Sequence, residues 1–200
     1  MSSFYDVALR QRACRAFTGT PLSPQVLRRV LTAATHAPSA ENRQPWHFVV
    51  VTTEAGRAAV GELTARAWGA GGRAHSEGRL AASLLAAVDA GATGGLAGAP
   101  ALVVVAADTT AVPAAALAAS IWPAVQNLLL AAAAEGLGSA LTTLATSYAA
   151  ELAALVGLPA GVVPVAVIPL GHPAYPLGAP RRRPLDEVAS AERWGEPLPS

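Results

Sequence analysis

Three groups of residues in this 200-residue chain carry side chains able to do chemistry. Arg12 and Arg15, in RQRACRAF, are three apart. At a helix end that spacing puts both guanidiniums on one side of the chain, and two planar forks meeting there match the oxygens of a phosphate. Residues 37–48, APSAENRQPWHF, crowd Ser39, Asn42 and Gln44 beside Pro38 and Trp46. A plain connection needs turn residues only; this one has the groups to hold a ligand. Arg181, Arg182 and Arg183, in PRRRPLDEV, make a positive patch near the end of the chain. Taken singly, each has a plainer reading: a solvated basic turn, a set of caps, a basic tail.

The elements that must position these groups alternate between helix and strand. Residues 4–14 read as a helix. In TPLSPQVLRRVLTAATHA, Ser23 suits an N-cap and Pro24 the first helical position, and Val26, Leu27, Val30, Leu31 and Ala34 form one apolar stripe before Pro38 ends the run. HFVVVT (47–52) reads as a strand. Residues 54–68 and 76–90 read as helices separated by GAGG, and GATGGLAGAP as a loop. ALVVVAAD (101–108) is a buried strand, and 117–135 an apolar helix ending at Gly136. SALTTLA (139–145) is a strand candidate, YAAELAALVGLP a short helix, VVPVAVIPLG (162–171) a further strand, and a Pro- and Arg-rich tail comes last. This order places the chain in the α/β or α+β class. No repeat is visible, and residues 1–200 read as one domain.

Composition narrows the function classes. Hydrophobic residues make up 52% of the chain, charged residues only 14%, and the formal net charge is +1. That balance gives no reason to expect nucleic acid or an acidic membrane as partner. All fourteen basic residues are arginine, so arginine at any one site means less than usual. One cysteine, Cys14, excludes an intramolecular disulfide and a multi-cysteine zinc site. His36, His47, His75 and His172 are scattered without metal-ligand spacing. The start of the chain has no apolar run of the secretory kind, which favours the cytoplasm. Residues 117–134 have borderline length for a membrane span, but Pro123, Gln126 and Asn127 interrupt them; a helix apolar all round fits a core or a subunit interface. The glycines of 91–98 precede a strand and lack dinucleotide-fingerprint spacing. No Walker-type phosphate loop is present.

Taken together, the clusters resemble one family. RQRACRAFTGTPLSPQVLRRVLTAATHAPSAENRQPWHFVVV is similar to the N-terminal signature of the nitroreductase-like flavoproteins, which bind FMN. AVQNLLLAAAAEGLGSA resembles their long central helix and the turn after it, and PVAVIPLGHPAYPLGAPRRRPLDEV their last strand and phosphate-binding tail. The blocks occur in family order and cover nearly the whole chain. The resemblance implies an α+β fold with a mixed, mainly antiparallel sheet flanked by helices, assembled as an intertwined homodimer.

It also implies site residues. Arg12, Arg15 and Arg182, with Arg183 nearby, map to the holders of the FMN phosphate. Gln11 stands where the family often has arginine, and Ala13 where it often has serine, leaving the Ala13 backbone amide to serve. Pro38, Ser39 and Asn42 map to the turn that meets the flavin from the neighbouring subunit, with Gln44 and Trp46 positioning it. Thr142, Thr143 and Leu144 map to the segment facing the reactive ring nitrogen, with Thr143 the amide donor that stabilises charge on the reduced ring. No side chain maps to a catalyst, as suits chemistry carried by the cofactor. Cys14 reads as a packing residue beside the phosphate site.

The activity implied is transfer of hydride and electrons from NADPH or NADH through FMN to a nitroaromatic, a quinone or a similar small acceptor. Two further readings stand beside it. One is a flavin-dependent dehydrogenase or oxidase of a biosynthetic intermediate. The other is a flavin-binding protein without turnover, motivated by Gln11 and Ala13. Flavin-fragmenting and dehalogenating relatives fit less well, because the connection from strand 101–108 to the long helix is too short for a lid; residues 69–98 are the remaining lid candidate.

Overall fold

The computed structural model describes residues 3–199. Helix α1, Phe4–Arg10, opens with a capping box: Ser3 Oγ accepts from the Asp6 amide, and the Asp6 carboxylate accepts from the Ser3 amide. It ends four residues before the expected end at 14. Cys14 is 1% exposed and its amide donates to the Ser139 carbonyl at 2.8 Å. Ala13 and Phe17 make isolated bridges, to Ser139 and Pro173, with Cys14 buried between them.

Helix α2, Pro24–Thr35, forms as expected, with Ser23 Oγ capping the Val26 amide and Pro24 at the first position. Strand β1 is Trp46–Val51, β2 Ala101–Asp108, β3 Gly138–Ser139 and β4 Val162–Gly171. They form one sheet in the order β1-β2-β4-β3, with every ladder antiparallel. The mixed character expected of the sheet shrinks to an isolated parallel bridge, Ala13 to Ser139.

The strand expected over 139–145 is cut short. After Ser139 only Thr142 bridges back, to Val167. The Thr142 hydroxyl then accepts from the Leu144 amide and starts a 3-10 turn, Leu144–Tyr148. Helix α7, Ala149–Val156, comes next and stops at Gly157, whose φ is +68°.

Between β1 and β2 lie α3 (Glu54–Ala67), α4 (Arg73–Ser76) and α5 (Ala82–Ala90). The helix expected over 76–90 begins only at Ala82. The two glycine stretches, expected as a separator and a loop, form wide π-type turns, Trp68–Gly72 and Gly91–Gly95, each kinked at a glycine outside helical geometry, Gly71 (φ 155°) and Gly94 (φ 147°). Helix α6, Ala114–Ala134, starts three residues before the expected 117.

The sheet has a core on each face. Ala101, Val103 and Val105 of β2 pack with Val30 of α2 and with Ile121, Val125 and Leu128 of α6. Leu102 and Val104 point the other way, onto Val60 and Leu63 of α3 and Leu152 of α7. The continuous apolar run of β2 is thus that of a strand covered on both sides. Helix α6 is long and apolar enough to cross a membrane, yet its buried face, including Ile121, Val125, Leu128 and Ala132, belongs to the first core.

Candidate functional site

Residues after α1 cross the open edge of β3. Arg12 and Arg15 line different clefts, yet lie close enough for the charge of one to act on the other. Arg12 is exposed and donates from Nη1 to the Gly178 carbonyl at 2.9 Å. Arg15 turns inward and is half-buried. It has no hydrogen-bond or carboxylate partner among the described residues. Burial, reinforced by the positive charge of Arg12, holds its guanidinium below the ordinary arginine value.

Arg15 lines a cleft of about 220 Å³ with Trp68, Ala92, Thr142, Thr143 and Leu144. Two expected site groups, Arg15 and residues 142–144, are therefore brought together. The backbone amides of 142–144 are not equivalent. Thr142 N–H donates to the Val167 carbonyl at 3.1 Å, and Leu144 N–H to the Thr142 hydroxyl at 3.2 Å. Thr143 N–H has no acceptor among the described residues, and neither has Ala13 N–H. Of the three amides, that of Thr143 is the one left to donate to a ligand.

The glycine run before β2, which matched no phosphate motif, forms the seat of Arg15. A Cβ on Gly91 would lie 3.1 Å from Arg15 Cδ, and one on Gly95 would lie 2.7 Å from the Arg15 carbonyl oxygen. Trp68, missed in the sequence, forms another wall. It is 3% exposed, and its indole N–H donates to Asp89 Oδ1 at 2.8 Å. That bond comes first among the causes holding the Asp89 carboxyl below its ordinary value, with Arg73 adding to it. Residues 69–98, the lid candidate, are thus two π turns and two helices hanging beside the cleft.

Cys14 lies against Gly138, where a Cβ would come within 2.6 Å of its Sγ. Burial pushes its thiol above the ordinary value, which fits packing and opposes thiolate chemistry.

Arg181, Arg182 and Arg183 are exposed, and Arg182 Nη1 donates to the Arg181 carbonyl. The tail that carries them is zipped onto the N-terminal block. Thr18 N–H donates to the His172 carbonyl, Ala174 N–H to the Ala16 carbonyl, and Arg12 to Gly178. Arg182 is thereby kept within four residues of a fixed point beside Arg12.

Pro38, Ser39 and Asn42 lie elsewhere. Pro38 and Ser39 precede, and Asn42 ends, a 3-10 turn, Ala40–Asn42, anchored by Ser120 of α6. Two rulers within the chain give the distance. Trp46, just after this turn, pairs with Ala107, whereas Ser139, beside Ala13, pairs with Leu170 opposite Ala101; Ala101 to Ala107 spans about 20 Å of strand. Along α6, Ser120 holds the turn and the Ala133 carbonyl accepts from Arg10, a separation of about 20 Å at the rise of a helix. The turn and the arginine block occupy opposite ends of the sheet, and none of residues 38, 39 and 42 lines the Arg15 cleft.

The profile of the Nitroreductase family matches residues 8–172. The chain belongs to the Nitroreductase family. It is 44% identical to the nitrobenzene nitroreductase of Ectopseudomonas oleovorans over 55 residues, which is 27% of this chain and 24% of that enzyme. It is 37% identical to the oxygen-insensitive NAD(P)H nitroreductase of Enterobacter cloacae over 61 residues, 30% of this chain and 28% of that enzyme. The matched stretches thus span about a quarter of these relatives. A crystal structure of an oxidised iodotyrosine deiodinase, bound to FMN and 3-iodo-L-tyrosine, superposes with a TM-score of 0.77 at 26% identity, covering 96% of this chain and 99% of that one. Likeness to this nitroreductase-type fold therefore extends over nearly the whole chain, beyond the short stretches of close sequence identity.

Proposed function

We propose that residues 1–200 form one FMN-binding unit of a homodimeric, cytoplasmic oxidoreductase. NADPH or NADH is the reductant and a small organic molecule, such as a nitroaromatic or a quinone, is the acceptor. The observation that carries the reading is Arg15, a half-buried cation with no protein partner among the described residues, opening into a cleft beside the free amide of Thr143. A partly desolvated charge without a counter-ion costs stability unless an anion completes it. The phosphate of FMN supplies that anion, and the family to which the chain belongs supports this choice among phosphates.

The residues present fit the group. Arg15 holds the phosphate, with Arg12 and the tail arginines Arg182 and Arg183 adding positive charge. The Ala13 amide is free to replace the side-chain contact that serine gives in other members. Thr143 N–H, flanked by Thr142 and Leu144, donates toward the ring, where a fixed donor stabilises developing charge. When bound, FMN supplies the hydride relay between nicotinamide and acceptor. The protein contributes position and electrostatics, and no side chain is required to act as acid, base or nucleophile. The separation of about 20 Å between the Arg15 end and the turn bearing Pro38, Ser39 and Asn42 supports a site shared by two copies, each lending its turn to the other.

The test is the absorption spectrum of the purified protein, then anaerobic addition of each nicotinamide. The expected result is a flavin band that bleaches with NADPH or NADH and returns when a quinone is added. A colourless protein that takes up no added FMN contradicts the proposal. A flavin band that neither nicotinamide bleaches leaves the binding site standing and rejects the oxidoreductase assignment as stated.

A further inference from the structure

Helix α6 is almost wholly apolar, but two of its polar residues point at one connection. Ser120 is 1% exposed; its Oγ donates to the Ala116 carbonyl at 3.0 Å and accepts from the Ala40 amide at 3.1 Å. Asn127, about two helical turns further on, donates from Nδ2 to the Ala33 carbonyl at 3.2 Å. Ala33 and Ala40 bracket the segment that carries Pro38 and Ser39, so α6 grips it at both ends.

The backbone just beyond that grip is strained. Glu41, Asn42 and Gln44 have φ of 52°, 54° and 50°. Left-handed backbone is disfavoured for residues with a Cβ, and three such residues within four positions persist only where surrounding bonds over-determine the conformation. Part of that constraint is internal: Ser39 Oγ accepts from the Gln44 amide at 3.0 Å, and Gln44 Nε2 reaches Asn42 Oδ1 at 3.3 Å. Ser120 ties the start of the strained turn to α6, Asn127 ties the end of the helix before it, and Asp108 N–H, donating to the Pro45 carbonyl at 2.7 Å, ties its far end to β2.

We infer that Ser120 and Asn127 are positioning residues for flavin binding. They fix the strained turn to α6 so that Ser39 and Asn42 meet the ring end of the flavin held by the other copy. This rests on the shared site proposed above. It assigns function to two residues of α6 that need touch neither cofactor nor substrate.

The experiment measures FMN and riboflavin affinities of the intact protein by fluorescence quenching, well below the melting transition, for wild type, Ser120→Ala, Asn127→Ala and Ser120→Thr. The expected result is an equal loss for both flavins, about tenfold (about 1.4 kcal/mol) per alanine variant, because the damage lies at the ring end and not at the phosphate. Ser120→Thr, which keeps the hydroxyl and its bond to the preceding turn, recovers most of the affinity. Should Ser120→Ala fail to fold, Asn127→Ala carries the same test. Lower melting temperatures with unchanged affinities overturn the inference and leave both residues purely structural. Wild-type protein that binds neither flavin overturns the reading of the site itself, and this inference with it.

Discussion

Gly95 packs against the backbone of Arg15 so closely that a Cβ there would lie 2.7 Å from the Arg15 carbonyl oxygen and 2.9 Å from that of Ala90. Both are backbone atoms and neither can swing aside. Gly95→Ala must therefore push Arg15 and the π turn apart, an overpacking cost of about 1–3 kcal/mol. Gly91→Ala meets the Arg15 side chain at 3.1–3.2 Å, atoms with more freedom to move, and should cost less. Thermal melts give the stability order and FMN titrations its effect on the cleft; Gly91→Ala more damaging than Gly95→Ala in both would reject this account of the seat.

Asp89 predicts an acid dependence of known sign. Its carboxyl is held below the ordinary value by the Trp68 indole first and by Arg73 after it. A depressed folded-state value means that its stabilising contribution is present above the ordinary aspartate pKa of about 3.9 and is lost as pH falls through the lower folded value. The melting temperature of wild type should thus fall more steeply over this acid range than that of Asp89→Asn, which keeps an acceptor for Trp68 but does not titrate. Parallel acid limbs would show that Asp89 contributes nothing by this route.

The dimer proposal is best probed through an exposed residue of α6. Leu128 is fully buried and Leu129 is 7% exposed, both within this chain's own core, so charges there test folding and not assembly; even Leu128→Ala should cost about 2–5 kcal/mol. Trp122 on the same helix is 40% exposed. Trp122→Glu should fold, run as a monomer in light scattering, and lose FMN along with its partner. A folded monomer that retains stoichiometric FMN would sink the shared site.

Cys14 should be dispensable for turnover. It is buried at 1% exposure, with its thiol raised by that burial. Cys14→Ala should lower the melting temperature modestly and leave acceptor reduction within about twofold, a change under about 0.5 kcal/mol. Loss of turnover with flavin still bound would assign the thiol a chemical role.

Local signals carried most of the fold. Ser23 and Pro24 announced α2, and the apolar runs of β2 and β4 gave strands whose ends agree with the structure. Reading failed where a tertiary contact overrode local pattern. Residues 11–14 leave the helix because Cys14 is drawn to the sheet edge, and 140–145 leave the strand because the Thr142 hydroxyl captures the next turn. The roles of Gly91 and Gly95 were invisible because they concern a residue some eighty positions away. Trp68 gave no signal beyond being an aromatic beside a glycine run. Asn127 did stand out as a polar interruption of an apolar helix and Ser120 did not; the partners of both are set only by how α6 crosses α2 and the turn after it.

The central claim is that Arg15 receives the FMN phosphate, and flavin binding by Arg15→Ala tests it most directly. A charge-assisted hydrogen bond contributes about 1.5–3 kcal/mol. Removal of Arg15 should therefore weaken FMN by roughly ten- to hundredfold and leave riboflavin, which has the ring and ribityl chain but no phosphate, almost unchanged. Equal weakening of FMN and riboflavin, or no weakening of either, would contradict the account.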